Sequence, residues 1–473
     1  MISSTSFSLE KRLFLTARPG IAALVIVAAL CCIAALAGRA HVDRVETAQA
    51  AFLAEKGADL AKWRDELAAL EAGKAKPAPY AARPMNIRMP AVLPSAPLGD
   101  FGTASAGLFP TATLITAWSN PANLFASYEF SNPNLLALGG FDLNFVVVVI
   151  MPLLMIAASF DVLPSDRQNG RLRLVSVQSG HIRGSTWNRL FIRNAALWAV
   201  LALFSFVWAC IPAADTDMTL RLATYFAWLT IALLYGLFWF ALIAASSILI
   251  KTSETLAAML FAAWAIFIFA VPTLGGAFAE AMYPPPSRLA FLSEMRQGEV
   301  TAINDTAALT AGFLADHPEM TVSDEKVPDY YSSYFLANQE AAKRTTPVLE
   351  AFTRSQMERQ SVTRFMQYVS PAIITDAALQ AISGGNANRY HAFQQQAVTA
   401  LKDLTERIGP SVVAKQRLSL EQFDDIPTFQ FVEVSLGDRL SKRAVPLGYL
   451  LALSIACLIF ARRRLAAPLE QIL

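Results

Sequence analysis

The chain alternates between long apolar runs and long polar segments. Six of the apolar runs contain no charged residue, and each is at least as long as the ~18 residues that a helix needs to cross the hydrocarbon core of a bilayer. We therefore predict an all-α polytopic membrane protein with six transmembrane helices. Their predicted bounds are 21–38, 143–160, 195–214, 222–250, 255–279 and 444–461.

The N-terminal part of the chain leaves two alternatives open. Residues 1–20 mix basic and apolar side chains, which suits a cytoplasmic interfacial helix or a disordered basic tail. The run 21–38 ends in Ala-Leu-Ala, a sequence typical of a signal-peptide cleavage site. It is longer than the ~7–15 apolar residues of a signal-peptide core, so we predict that it is retained as the first span.

Two polar segments, 39–140 and 281–442, are long enough to form extramembrane domains. In the first, a heptad pattern predicts a helix over 46–73, whose apolar seam packs within this chain or on a partner. The second is mainly amphipathic, with helices predicted over 334–365 and 388–408. We expect two extracytoplasmic, mainly helical domains. The heptad residues are Leu53, Leu60 and Leu67.

Basic residues in the short loops predict the orientation of the chain. With six spans, the arginines and lysines of 1–20, the six arginines of the loop 161–194, Lys251 and the tail 462–473 all lie on one side. We therefore predict a multi-pass protein of the inner membrane with both termini cytoplasmic. The two polar segments are then periplasmic.

Composition supports a membrane protein and excludes several functions. The chain of 473 residues is 55% hydrophobic and 16% charged, whereas soluble domains carry about 25% charged residues. A net charge of +2 gives no indication of nucleic-acid binding. All four cysteines lie in apolar runs, so we expect buried thiols rather than disulfides.

The sequence contains no motif for catalysis in this chain. A phosphate-binding Gly-x-x-x-x-Gly-Lys-Ser/Thr loop, His-Glu-x-x-His, Cys-x-x-Cys and Gly-x-Ser-x-Gly are all absent, and the four histidines are scattered. We predict no catalytic, metal or cofactor site. Because no spanning run carries a charge in its middle, a relay of buried carboxylates is not supported.

Three helix breakers near the end of the fifth run allow more than one local structure. Pro272, Gly275 and Gly276 are consistent with a kink, a re-entrant end or the end of the helix.

The basic loop after the second run carries the most specific signal. Residues 166–174 read DRQNGRLRL just beyond Phe160 and Asp161. This sequence resembles the first cytoplasmic loop of ABC-2-type permeases, the membrane subunits of ABC exporters, which usually read Glu-x-x-x-Gly-Thr-Leu-Arg-Leu-Leu. Asp166 stands for the Glu and Arg171 for the Thr. The arginines alone are also consistent with a topology signal or with lipid binding.

A second resemblance lies before the last run. The segments 369–372 (VSPA), 381–385 (AISGG) and 389–393 (RYHAF) are similar to a subgroup of these permeases with a large uncharacterised extracytoplasmic domain. The nitrous-oxide-reductase maturation permease is a relative with the same six-helix plan. The resemblance implies a fold like that of type V exporters.

The resemblance also implies a function. It is that of a permease subunit of an ATP-driven exporter, paired with a second permease copy or homologue and with a cytoplasmic ABC ATPase dimer that binds ATP and magnesium. A periplasmic or outer-membrane partner is a further expectation. The alternative is a membrane receptor or scaffold that signals through a separate cytoplasmic partner. The predicted ATPase-coupling residues are Asp166, Arg167, Gly170, Arg171, Leu172, Arg173, Arg183 and Arg189.

The fourth run is rich in aromatic residues. Such residues suit a pathway for a lipid-like or amphipathic substrate, and they equally suit helix packing or anchoring at the membrane interface. The candidates for the lining of a pathway are Trp228, Tyr235, Trp239 and Phe240.

Overall fold

The computed structural model of the protein describes residues 4–74, 82–103, 110–121, 124–125, 140–171, 182–211, 216–284 and 329–465, with a few positions between 293 and 305. Six helices in these ranges are long and apolar enough to cross a membrane. The prediction of an all-α polytopic membrane protein with six spans is confirmed at this level. One small two-stranded sheet accompanies the helices in the described part.

The elements follow one another as a series of helices with one hairpin-like sheet. Strands β1 (Arg88–Val92) and β2 (Ala112–Thr116) pair antiparallel, with Met89 opposite Ile115. The spanning helices are α2, α3, α5, α6, α7 and α13. The helices are α1 (Ser4–Thr16), α2 (Arg18–Glu71), α3 (Leu143–Phe145, a π segment Val146–Ile150 and Met151–Ser159), α4 (Pro164–Gln168), α5 (Ile182–Ala209), α6 (Met218–Leu249), α7 (Ser253–Ala265, a π segment Ile266–Ala270 and Val271–Met282), α8 (Asp329–Met366), α9 (Pro371–Ser383), α10 (Ala387–Val413), α11 (Leu420–Asp424), α12 (Leu436–Ser441) and α13 (Ala444–Arg464).

Helix α2 is continuous over 54 residues. The predicted first span and the predicted heptad helix are therefore parts of one element, because no helix breaker separates them. Beyond the membrane part, Trp63 and Leu67 are buried in a core built from the polar segments. That end of the heptad seam packs within the chain, while Leu53 is exposed.

The two polar segments share one hydrophobic core where the structure describes them. Met85 and Ile115 of the first segment pack in the same cluster as Phe335 and Phe393 of the second. The ring of Phe125 lies 5.7 Å from that of Phe393, edge to face. Each segment has an apolar face that is buried by the other, so they form one unit where the sequence suggested two domains.

Helix α9 leaves the polar segments and packs among the spanning helices. It contacts α6, α13 and the π segments of α3 and α7. Its residues Ala378, Leu379 and Ile382 belong to the core of the spanning helices. With 13 residues it is too short to cross the membrane. Its one charged residue, Asp376, leaves the rest apolar enough for this position.

In each π segment a proline leaves a backbone carbonyl group without its donor, and a hydroxyl group from another part of the chain donates to that carbonyl. In α3, Pro152 has no N–H, so the carbonyl oxygen of Val148 lacks its usual donor four residues on. The hydroxyl of Tyr235 donates to that oxygen instead, at 3.1 Å. In α7 the backbone N–H of Val271 reaches Ile266, five residues back. The next such bond would need an N–H from residue 272, which is a proline.

The helix breakers of the fifth run therefore act within the helix. Ser370, at the start of α9, donates its hydroxyl to the freed carbonyl oxygen of Phe267 at 2.6 Å. Helix α7 continues through Pro272, Gly275 and Gly276 to Met282. The expectation of a helix end or a re-entrant end at these residues is not met, and the irregularity is a π segment.

The bundle of spanning helices has two ends, and different contacts identify each of them. Glu10 of α1 lies 3.9 Å from Arg193 of α5, and Leu163 packs with Leu465, which follows α13. Helix α1 and the C-terminal end of α13 thus lie at one end of the bundle, which we name the signature end. At the opposite end, the domain end, Gly38 of α2 lies against the backbone of Asp100.

Arg221 joins the polar segments to the spanning helices at the domain end. Its side chain is 1% exposed and forms an ion pair with Asp100 at 2.8 Å. Its Nε also donates to the carbonyl oxygen of Ala209 at 2.9 Å, and a terminal nitrogen donates to that of Trp208 at 3.2 Å. These are the last carbonyl groups of α5, which have no donor within the helix.

Replacing Arg221 with glutamine is expected to destabilise the protein. The buried carboxylate of Asp100 would lose its counter-charge, which typically costs about 3–5 kcal/mol. Thermal unfolding in detergent measures the change. Arg64→Gln is the matched control, because Arg64 pairs with Asp424 in an exposed ion pair, and there we expect little change. Equal losses in the two variants would contradict the assigned role of Arg221.

Candidate functional site: the junction at the signature

The short helix α4 carries the first half of the signature. Pro164 starts it, where a missing N–H has no cost. Gly170 ends it with a φ of +69°, in the left-handed region that favours glycine. The side-chain nitrogen of Asn169 donates to the carbonyl oxygen of Ser165 at 2.9 Å at the same end. This geometry gives a physical reason for the glycine of the signature.

Asp166 connects α4 to α5. Its carboxylate is 8% exposed and forms an ion pair with Arg189. One helical turn further along α5, Arg193 donates to the carboxylate of Asp161 at 2.9 Å and to the carbonyl oxygen of Ala158 at 2.8 Å. The two arginines hold α5 against the end of α3 and against α4.

Arg167 connects α4 to the end of α6. Its guanidinium donates to the carbonyl oxygen of Ile250 at 2.9 Å and to that of Ile248 at 3.3 Å. Because α6 ends at Leu249, these carbonyl groups lack donors in the helix. A cation at a helix C-terminus also interacts favourably with the helix dipole.

Gln168 connects α4 to the start of α7. Its Oε1 accepts from the hydroxyl of Ser253 at 3.2 Å, and its Nε2 donates to the carboxylate of Glu254 at 3.2 Å. Ser253 is the first residue of α7, and Thr252 caps that helix. Three consecutive side chains of α4 thus bind three different spanning helices.

We name Asp166, Arg167, Gln168 and Arg189 the signature junction. It joins the ends of α3, α5, α6 and α7 through a helix of five residues. The junction has no nucleophile beside a base, and the described residues contain no group of three or more potential metal ligands. Its polar groups are used in contacts between helices.

The predicted coupling residues divide into two groups. Asp166, Arg167 and Arg189 are directed into the protein by the contacts above. Gly170 and Arg171 are exposed at the edge of the junction. Arg183 lies on the first turn of α5, and its side chain is outside the described residues. Leu172 and Arg173 lie wholly outside them, so their part in coupling stays a prediction.

The aromatic candidates of α6 lie inside the bundle. Trp228, Tyr235 and Trp239 are fully buried. Trp228 donates to Asn144 of α3 at 2.7 Å, and Tyr235 binds the π segment of α3. Phe240 is half-buried, with its ring 5.7 Å from that of Trp187. Their contacts are those of packing residues, and a role in a pathway stays a prediction.

Sequence reasoning missed two residues of this region. Gln168 stands inside the signature, but an amide gave no reason to select it before the position of Ser253 was known. Arg193 was counted only as a basic residue of the loop. Its spacing of four residues from Arg189 places both on one face of a helix, which was the available signal.

Arg167→Ala is expected to destabilise the signature end. Two carbonyl oxygens at the end of α6 would lose a charged donor, with a cost of about 1–3 kcal/mol. Arg171→Ala is the matched control, since Arg171 is exposed and lies four residues further on. Thermal unfolding in detergent compares the two. An Arg167→Ala variant as stable as Arg171→Ala would be inconsistent with the junction.

Comparisons with known proteins cover only part of the chain. A family model described as a domain of unknown function, DUF3526, matches residues 288–432. This stretch contains α8, α9, α10 and α11, and thus includes the helix that packs among the spanning helices. No curated protein matches the chain, and no solved structure does.

Proposed function

We propose that the protein is the membrane-spanning permease subunit of an ATP-driven ABC exporter. The observation that carries the proposal is the signature junction, in which one short helix, directly after α3, binds the ends of three further spanning helices. The chain has no phosphate-binding motif of its own, so the energy comes from a separate ATPase. The resemblance of residues 166–174 to ABC-2-type permeases supports the same conclusion.

The exposed side of the signature is the proposed docking surface. Gly170 and Arg171 lie at the edge of the junction, immediately after the side chains that bind α5, α6 and α7. A push on this segment displaces α4, and the hydrogen bonds of α4 pass the displacement to those helices. Among the described residues of the signature, Arg171 is an exposed cation that can bind acidic residues of the ATPase, whereas Arg167 and Arg189 bind within the chain.

The proposal includes an orientation and an assembly. The signature end with both termini faces the cytoplasm, since the basic loops collect there. The shared core of the polar segments is then periplasmic, on the inner membrane. Two permeases, as two copies of this chain or as one copy and a homologue, bind an ATPase dimer that holds ATP and magnesium. The shared core contacts a periplasmic or outer-membrane partner.

Arg171→Glu is expected to weaken binding of the ATPase. The full chain, tagged and purified from its native membranes, should carry an ABC ATPase with it. Charge reversal at an exposed contact is expected to reduce the copurified ATPase about tenfold, equivalent to ~1.4 kcal/mol. Lys402→Glu is the control, since Lys402 is an exposed base on α10 of the shared core, and it should leave the yield unchanged.

Asp166→Asn tests coupling separately from binding. The substitution removes the charge that holds Arg189, so the ATPase should bind while its stimulation by the permease falls. The measurement is ATP hydrolysis per bound ATPase in nanodiscs. Absence of any copurified ATPase, or unchanged binding and hydrolysis in both variants, would refute the permease function.

A further inference from the structure

Helix α9 is held at both ends inside the bundle. At its start, Ser370 donates to the π segment of α7. At its end, Asn144 of α3 donates to the hydroxyl of Ser383 at 3.2 Å, and Arg439 donates to the carbonyl oxygen of Ile382 at 3.1 Å. Asn144 in turn accepts from Trp228 of α6. The position of α9 is therefore specified by polar contacts as well as by apolar packing.

Asp376 is the one exposed residue of α9, and every other position is buried or half-buried. The carboxylate lies within electrostatic reach of Tyr235, in the middle of α6, and of Asp142, just before α3. A second carboxylate nearby disfavours the ionised form of Asp376.

The amide of Gln380 lies one turn along the same face. Its Nε2 is 3.5 Å from the carboxylate of Asp376, and the side chain is 9% exposed. Its Oε1 is buried with no donor in the described part of the protein. A methyl group built on Gly385 would lie 2.6 Å from this Oε1 and 2.4 Å from the carbonyl oxygen of Gly102. The amide oxygen of Gln380 and the carbonyl oxygen of Gly102, which are both acceptors, thus lie beside the same point.

Reversing the amide of Gln380 removes this mismatch. The oxygen and nitrogen of an amide have nearly the same shape, so the same side-chain position accommodates either orientation. In the reversed orientation, Nε2 faces the carbonyl oxygen of Gly102, which accepts. Oε1 then faces Asp376, and this contact is a hydrogen bond only when the carboxyl carries a proton. One proton on Asp376 therefore supplies the missing donor.

Within the described residues, the helices packed beside Asp376 supply no cation to replace that proton. Helix α6 contributes Tyr235, and the residue before α3 contributes Asp142. The π segment of α7 has no titratable residue, and α13 has only Tyr449 and Cys457 between Ala444 and Phe460. Arg439 of α12 binds instead at Ile382, about 9 Å along the helix axis from Asp376.

We propose that Asp376 is a proton-binding site within the membrane bundle, with the amide of Gln380 as its hydrogen-bond partner. In the neutral form, Asp376 donates to Gln380 and α9 remains seated on the π segments. On ionisation the proton passes to water, the amide turns so that Nε2 donates to the carboxylate, and Oε1 is left buried without a donor, with the charge of Asp142 nearby. Ionisation therefore weakens the seating of α9. This site does not depend on the proposed ATPase.

Infrared spectroscopy of the full chain in nanodiscs tests the site directly. At neutral pH we expect a C=O stretching band of a protonated carboxyl that Asp376→Asn removes. The matched control is Asp438→Asn, an acid exposed at the start of α12, which should leave the band intact. Gln380→Leu should keep the band but shift it, because the hydrogen bond to the carboxyl is lost. A band unchanged by Asp376→Asn overturns the proposal.

The pH dependence of stability gives a second readout. The proposed hydrogen bond needs the protonated carboxyl, so its contribution to stability is present at low pH and is lost as the pH rises and the folded protein releases the proton. The melting temperature of Asp376→Asn should therefore exceed that of the wild type by a margin that grows as the pH is raised. Asp142→Asn separates the second carboxyl, whose pKa burial raises to about 6. A margin independent of pH would refute proton binding.

Discussion

Backbone carbonyl groups in a membrane need donors from the protein itself, and this constraint explains most of the polar contacts of the bundle. Lipid tails offer no hydrogen bonds, so a free carbonyl at a helix end or beside a proline is costly. Arginines meet the need at several helix ends, among them Arg167 at α6, Arg221 at α5 and Arg439 at α9. The hydroxyls of Tyr235 and Ser370 do so at the two π segments.

These contacts change the meaning of the arginines in the basic loop. A count of charges treats them as equivalent signals of topology. In the structure, Arg167, Arg189 and Arg193 are fixed by internal partners, and Arg171 is exposed. A loop whose side chains are bound to the ends of several spanning helices is mechanically connected to all of them. A loop whose charges were only solvated would indicate the orientation of the chain but would not be connected to the spanning helices.

The sequence predicts those features that depend on local pattern. Apolar runs locate the six spans, and Gly170 falls where its positive φ is required. Helix α9 was not predicted to enter the bundle, because thirteen residues with one acid are equally typical of a buried helix in a soluble domain. The shared core was missed for a related reason. The pairing of the apolar faces depends on contacts between residues that are far apart in the chain, such as that of Phe125 with Phe393.

Helix α6 links the signature junction to the inserted helix. Its last carbonyl groups are held by Arg167 at the signature end, its middle contributes Tyr235 to the π segment of α3, and α9 packs along it. A helix of 32 residues is about 48 Å long and moves nearly as a rigid rod. A tilt imposed at Arg167 would therefore also move the part of α6 on which α9 packs. The proton proposed at Asp376 and the force proposed at the junction would act on the same helix, so each is expected to shift the equilibrium that the other sets.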